Sequence, residues 1–411
     1  MKILLVNKFH NVKGGSETYY FGLGEMLKKA GHEVIYFSMK DEKNVPCEQE
    51  KFFVENVDFN APMGKLGLVK ASLKMLYSFE AKAKFDKLLT AEKPDIIHLN
   101  IFQSQLTGSI VDVAKKHKIP IVYTAHDLKS VCPNYQMMDN GKICEKCLGG
   151  KYVNCFKSGC MKNSKLKSLL ATMEAYVYKF KKTYEKIDLV ITPSAFYKKK
   201  IDEAGVMKCP VIHMANFLPE GTEYSVSEIG SYILYFGRLS HEKGTMTLLK
   251  AYEKANADKP LYYVGTGPIK EQLEKYIDEH NLSDKVKLLG FKSGDELKTL
   301  VKESLCVVLP SEWYENGPYS IMEAMAVGKP VIVSDLGGLP EMVEDGINGY
   351  VVKPFDTDSL SEAIVKLSNS SRDELVQMGI RSLEKAESTF DAAMYLKRIE
   401  TEYSGVLSVE K

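Results

Sequence analysis

Residues 1–220 contain no arginine, although they hold 34 lysines. That absence counts against nucleic acid as a partner, because arginine is the usual side chain for clamping phosphates and guanine edges. Nor does any apolar run approach the roughly 18–20 residues that a bilayer-spanning helix needs. The N-terminus, MKILLVNKFH, stays apolar only over Ile3–Val6 and reads as a first strand, not a signal peptide. A cytoplasmic protein with its eight cysteines reduced is the expectation. The glycines of Gly265-Thr266-Gly267 are followed by Pro268 and lack a third partner, so the dinucleotide fingerprint is broken and an NAD-dependent enzyme is disfavoured. Internal repeats and low-complexity tracts are also missing.

What is present is uneven. The 411 residues suit two domains of about 200 each. The formal charge is only +1, yet residues 1–220 set 34 lysines against 23 acidic residues, while the remainder carries 21 basic and 31 acidic ones. The two halves therefore face different partners, and the first is the candidate for an anionic one.

Short apolar runs alternate with helical stretches in both halves. In the first, strands are expected at Ile3–Val6, Glu33–Ser38, Ile96–Leu99, Ile119–Thr124, Leu189–Thr192 and Val211–His213. In the second they are expected at Tyr232–Phe236, Leu261–Val264, Val286–Leu289, Leu305–Leu309 and Val331–Val333. This order predicts an α/β protein with two Rossmann-like parallel-sheet domains. The domains are expected at 1–215 and 230–387, with a linker at 216–229. A helix within 388–411 is expected to pack back on the first domain. Ligands of open parallel sheets bind beyond the carboxyl ends of the strands, so two such domains facing each other would enclose the ligand in a cleft.

The most informative segment is EWYENGPYSIMEAMAVGKPVI, which sets Glu315 and Glu323 eight positions apart. Between them Asn316-Gly317-Pro318 forms a turn opening a helix, with Pro318 suited to the first helical position. The helix start offers N–H groups and the positive end of a dipole, a site for phosphate. Flanking carboxylates can hold hydroxyls, so the segment fits a phosphorylated sugar. After strand Tyr232–Phe236, the loop Gly237 to Gly244 places Arg238 and Lys243 together, able to neutralise a diphosphate. A solvated turn with surface charges is the bland alternative. Gly14-Gly15 follows the first strand and lets backbone N–H groups approach an anion, although two glycines make many ordinary loops. His126-Asp127 ends the strand Ile119–Thr124. The pair could serve a ligand or could be a turn stabilised by the Asp side chain.

Together GRLSHEKG, VGTGP, LGF, LPSEWYENGPYSIMEAMAVGKPVIVSD and GGLPEMVEDGINGYVV resemble glycosyltransferase family 4, retaining enzymes of GT-B architecture with a Glu-x₇-Glu motif. The resemblance covers nearly the whole chain; a cysteine-rich insertion in the N-terminal domain, about 130–162, would mark a subgroup. It implies that Arg238 and Lys243 bind the donor diphosphate, that Glu323 holds the ribose hydroxyls, and that Glu315 lies beside the transferred sugar. It further implies a donor pocket lined by Gly14, Gly15, Gly237, Gly265, Gly267, Phe291, Asn316, Gly317, Pro318, Tyr319 and Ser320. His126 would contact the sugar, with Asp127 nearby. One departure is Asn316-Gly317, where many members carry an aromatic-glycine pair.

The expected activity is metal-independent, retaining transfer from a nucleotide-diphosphate sugar, UDP being the default, to a glycan or lipid-linked acceptor. No cofactor is required for that chemistry. A nucleotide-sugar epimerase of the same fold and a non-catalytic nucleotide-sugar binder are the alternatives.

Two features lie outside that chemistry. Cys132, Cys144, Cys147, Cys155 and Cys160 crowd a loop in which Cys144, Cys147, Cys155 and Cys160, or Cys132 in place of one, could hold a structural zinc. Small buried thiols without metal are the other reading. From Lys157 to Lys186 there are eight lysines and two acidic residues, interleaved with Leu166, Leu169, Leu170, Met173, Tyr176, Val177 and Phe180 at helical spacing. Pro62–Leu89 is a second basic-apolar stretch. Such helices cover a core or contact an anionic membrane peripherally, here at the inner face of the cytoplasmic membrane.

Overall fold

The computed structural model describes residues 1–56 and 65–409. Two compact units emerge: Met1–Glu220 with Ala392–Lys411, and Gly221–Asp391. Each is built on a six-stranded sheet in which every strand pair is parallel.

In the first unit the strands are β1 (Lys2–Val6), β2 (Glu33–Phe37), β3 (Ile96–Leu99), β4 (Ile121–Thr124), β7 (Leu189–Thr192) and β8 (Val211–His213), beside a small antiparallel hairpin of β5 (Met138–Asp139) and β6 (Lys142–Ile143). Their order is β2-β1-β3-β4-β7-β8. Central strands such as β1, β3 and β4 are short continuous apolar runs because helices cover both faces of a parallel sheet. The C-terminal helix Ala392–Val409 belongs to this unit and buries Tyr395, Ile399 and Tyr403, one stripe at four-residue spacing. Polar contacts fix it: Tyr403 Oη lies 2.5 Å from His98 Nδ1, and Tyr395 Oη lies 2.6 Å from Tyr19 Oη. Burial of His98 pushes its pKa down to about 3, so the ring is neutral within this network.

In the second unit β9 (Tyr232–Phe236), β10 (Leu261–Val264), β11 (Val286–Leu288), β12 (Ser304–Leu309), β13 (Val331–Ser334) and β14 (Gly349–Val352) stand in the order β11-β10-β9-β12-β13-β14. The connections leave β9 toward β10 on one side and return to β12 on the other. The carboxyl ends of β9 and β12 therefore flank a topological switch point, where open α/β sheets bind ligands. The corresponding point in the first unit lies between β1 and β3.

Several details differ from the sequence expectation. Strand β14 and the hairpin were not foreseen; Asn140 and Gly141 both have positive φ, 50° and 73°, as a tight Asn-Gly hairpin turn requires. Strand β4 starts at Ile121, after Pro120. The last helical break falls at Asp391, because helix Arg372–Phe390 runs past 388 before the chain turns extended. Pro318 is the N-cap of helix Tyr319–Ala326, not its first residue, since its ψ of 132° is extended. The basic stretch from Pro62 falls partly outside the described residues.

Candidate functional site

Three loops meet at the carboxyl edge of the second sheet. The loop after β9 carries Arg238 and Lys243, the loop after β10 carries Gly265-Thr266-Gly267, and the loop after β12 runs to Pro318. Glycine is what lets them touch. A Cβ on Gly265 would lie 1.9 Å from the Gly237 carbonyl oxygen, and one on Gly244 would lie 1.9 Å from that of Pro310. Gly265 also has φ +142°, a region other residues rarely enter. Backbone bonds then stitch the loops: Leu239 N–H to Thr266 O at 2.9 Å, Gly265 N–H to Gly290 O at 2.7 Å, and Glu312 N–H to Glu242 O at 2.8 Å. The Gly290 bond brings the segment of Phe291, whose ring is 72% exposed, beside the Gly265 loop.

Glu315 is buried, and its Oε1 is crowded with donors. Lys243 Nζ donates at 2.6 Å, Trp313 Nε1 at 2.7 Å and Ser311 Oγ at 2.5 Å. The Lys243 ammonium also lies 5.3 Å from the Trp313 ring centre. One carboxylate oxygen thus orients the cation and ties two loops together. Gly338 N–H donates to the Glu315 carbonyl at 2.8 Å, which fixes the backbone from the side of β13. Ser311 and Trp313 were not singled out from sequence, although both lie within four residues of Glu315.

Arg238 remains exposed at the same edge, and residues 316–320 are half-buried where helix Tyr319–Ala326 opens. On that helix Glu323 accepts no hydrogen bond from the described residues. Desolvation pushes its carboxyl up to about 7, against the pull of Lys298. A half-buried carboxylate short of donors suits a ligand that brings hydroxyl groups. The second sheet edge therefore gathers Gly237, Arg238, Lys243, Gly265, Gly267, Glu315, Asn316, Gly317, Pro318, Tyr319 and Ser320, with Glu323 one turn into the helix.

The first unit has its own polar edge. Gly14 caps helix Gly15–Lys29 with φ −174°, extended backbone that any residue adopts, and the nearest atom to a Cβ there is Glu17 Oε2 at 3.9 Å. The fold does not demand glycine at this position. Glu17 is buried near the helix start and accepts from Asn7 Nδ2 at 3.1 Å and Ser16 Oγ at 3.0 Å; burial raises its pKa.

Past β4, His126 Nε2 lies 2.9 Å from Asn100 Oδ1. Asn100 donates through Nδ2 to Val6 O at 3.2 Å, and this orients its amide. Oδ1 must then face the imidazole, so Nε2 carries the proton and Nδ1 is left as an acceptor. Desolvation pushes the His126 pKa down to about 3, which keeps the ring neutral. The Tyr19 ring packs on it edge-on with centroids 4.8 Å apart. Asp127 Oδ1 accepts from Lys129 N–H at 2.9 Å, so this carboxylate shapes the turn; burial raises its pKa. Asn100 and Asn7 were missed in the sequence, though each is the first polar residue beyond a strand.

Four of the cysteines form two thiol pairs around one small core. Among the described residues no three His, Cys, Asp or Glu side chains come close enough to hold a metal ion. The expected set of Cys144, Cys147, Cys155 and Cys160 is split. Cys160 Sγ donates to Cys155 Sγ at 3.4 Å, and Cys132 hydrogen-bonds to Cys147. Cys144 stands in neither pair; Cys147 and Cys155, one from each pair, share a small core with Tyr152, and Cys160 packs against it. The Cys160 hydrogen bond brings the Cys155 thiol down to about 7.

Comparison with known proteins agrees with this geometry. Residues 13–217 match Glycosyltransferase Family 4, and residues 225–382 match Glycosyl transferases group 1. An uncharacterized glycosyltransferase of Methanocaldococcus jannaschii is 28% identical over 88% of this chain and 87% of its own. The amylovoran biosynthesis glycosyltransferase AmsK of Erwinia amylovora is 31% identical, but over only 39% of this chain and 41% of its own length. Among solved structures, the sucrose-phosphate synthase of Thermosynechococcus elongatus has a TM-score of 0.71 at 21% identity, covering 99% of each chain. Anabaena HepE in complex with UDP-glucose has a TM-score of 0.66 at 20% identity, covering 98% of this chain and 100% of that one. At such identities these two likenesses establish the fold: two Rossmann-like parallel-sheet domains of GT-B type.

Proposed function

Because the chain belongs to the glycosyltransferases, with a family 4 domain followed by a group 1 domain, we propose that it transfers a sugar from a nucleotide-diphosphate donor to a glycan or lipid-linked acceptor. UDP is the nucleotide of first choice, and the product is a cell-surface polysaccharide or its precursor. The observation that carries this reading is the edge of the second sheet, where Arg238, Lys243 and a helix N-terminus meet on loops that only glycine allows to pack.

The chemistry follows from charge. Cleaving a glycosyl phosphate builds positive character on the sugar and negative charge on the departing diphosphate. Arg238, Lys243 and the helix dipole stabilise the leaving group, in the place that a metal ion takes elsewhere. Glu315 holds Lys243 in position and borders the sugar. Glu323 accepts the ribose hydroxyls. The neutral His126, with Nδ1 as acceptor, takes a hydrogen bond from a sugar hydroxyl. Asp127 belongs to the turn beside it, and no pair of carboxylates is assigned as nucleophile and acid. Retention of configuration then follows if the departing phosphate oxygen assists the acceptor hydroxyl on the same face.

A thermal-shift panel of UDP-, GDP- and ADP-sugars tests the donor, because preferential binding raises the melting temperature. The UDP-sugars should give the largest shift and a labelled sugar should pass to acceptor with its anomeric configuration kept. No shift with any nucleotide sugar would defeat the reading. A covalent sugar adduct trapped on Asp127 or Glu315 would overturn the mechanism alone.

A further inference from the structure

Helix Lys165–Phe180 leaves several large apolar side chains exposed. Its buried side is mostly small or polar, Ser168, Ala171, Thr172 and Glu174, with Tyr178 stacked on Phe102 at the C-terminal end. Hydrogen bonds hold that side down. Glu174 pairs with Lys129 Nζ at 2.9 Å, Thr172 Oγ1 donates to Tyr152 O at 3.3 Å, and Ser168 Oγ accepts from Met161 N–H at 2.9 Å. Much of the apolar stripe faces solvent, with Phe180 80% exposed, Leu166 53%, Met173 42% and Leu169 37%, while Leu170, Tyr176 and Val177 are half-buried.

Neighbouring segments extend this surface. Tyr176 stacks on Phe180 at 6.1 Å between ring centres, and its Oη accepts from Val153 N–H at 3.3 Å, next to the exposed Phe156. At the C-terminal end, Lys181 lies over the Tyr77 ring at 4.6 Å, and Tyr77 packs on Phe79, which is 75% exposed. Contiguous exposed apolar side chains on this scale mark an interaction surface.

Charge selects the partner. All seven lysines from Lys157 to Lys182 are exposed, and Glu174, the one acidic residue among them in sequence, is buried against Lys129. A second copy of this chain would set like charges against each other across a two-fold axis. An apolar stripe fringed by lysines is instead the pattern that lies in a bilayer interface, with apolar side chains among the upper acyl chains and ammonium groups at lipid phosphates. We propose that this face, centred on Leu166, Leu169, Met173 and Phe180, docks the first unit on an anionic membrane surface. The inference stands apart from the transfer chemistry and would bring the enzyme to a lipid-linked acceptor.

The test uses the full chain and vesicle co-sedimentation. Vesicles of phosphatidylcholine with about a third phosphatidylglycerol should bind it at low salt, pure phosphatidylcholine should bind at least about tenfold less, and raising salt to about 0.5 M should release it. Combined Leu166→Gln, Met173→Gln and Phe180→Gln substitutions, all on exposed side chains, should lower anionic-vesicle binding by at least about tenfold. The melting temperature and its shift with a UDP-sugar should stay the same, which separates this inference from the donor assignment. A wild-type chain that ignores anionic vesicles would overturn the proposal. So would an unaffected triple variant, or a dimer in sedimentation velocity that the triple variant abolishes.

Discussion

The two sheet edges are built from different materials. In the second unit the edge is made of charge on glycine-held loops: Arg238, Lys243 and Glu315 stand on segments packed backbone against backbone. In the first, buried titratable groups crowd the edge, and the one set by burial to be uncharged is His126, oriented by Asn100 and packed on by Tyr19, beside the buried carboxyls of Glu17 and Asp127. A charged edge grips an anion strongly and with little regard to what is attached to it. A neutral imidazole with a fixed tautomer reads hydroxyl direction. On the proposed function, the charged edge would supply diphosphate affinity and the His126 imidazole a directional contact to a sugar hydroxyl.

Gly265→Ala strikes this contrast hardest. The new methyl would meet the Gly237 carbonyl and occupy a forbidden φ, so a loss of about 2–4 kcal/mol of stability is expected, read by chemical denaturation. Full stability would mean the loops do not pack so closely. Next, Lys243→Ala and Arg238→Ala should each slow transfer by at least about tenfold, or about 1.4 kcal/mol of transition-state stabilisation. Unchanged steady-state rates in both would remove the phosphate assignment.

Glu323 gives a smaller effect with a definite sign. Its folded pKa is raised to about 7, so the folded state holds a proton that the unfolded chain releases near the ordinary carboxylate value. Stability should therefore fall as pH rises between those values and then level off. Glu323→Gln should match the wild type near pH 4 and exceed it near pH 8, by on the order of 1 kcal/mol after allowance for solvent. A nucleotide sugar, whose phosphates are both diesters, should bind the wild type more tightly as pH rises to about 7 and bind the glutamine variant without that trend. The smallest signal is spectroscopic. Nitrogen NMR of His126 should show a neutral ring protonated on Nε2, with no titration from about pH 5 to 8; a midpoint near 6.5 would contradict the desolvated, Asn100-oriented ring.

Much of this was legible in the sequence, and the exceptions share a cause. Apolar runs bounded by glycine and proline located the central strands because a parallel sheet buries both faces. The charged edge was readable because its residues follow strand ends within a few positions. Asn100 escaped notice because its value depends on β1 and β4 lying on either side of β3, a long-range fact. Helical spacing placed Leu166, Leu169 and Met173 on one stripe but could not say that the stripe faces outward, since the buried Glu174–Lys129 pair decides that. Cysteine spacing suggested a set of four; the small core brings Cys147, Cys155 and Cys160 together, with Cys132 bonded to Cys147, while Cys144 joins neither thiol pair. The hairpin at Asn140-Gly141 had its turn signal in plain view.

The central claim is that the second unit's charged edge holds a donor diphosphate. Calorimetric titration of a UDP-sugar into the wild type, Lys243→Ala, Arg238→Ala and His126→Ala tests it most directly. Binding should weaken at least about tenfold in the first two variants and by less, about two- to tenfold, in the third, which loses one neutral hydrogen bond to the sugar. Equal affinity across all four, or a loss confined to His126→Ala, would contradict it.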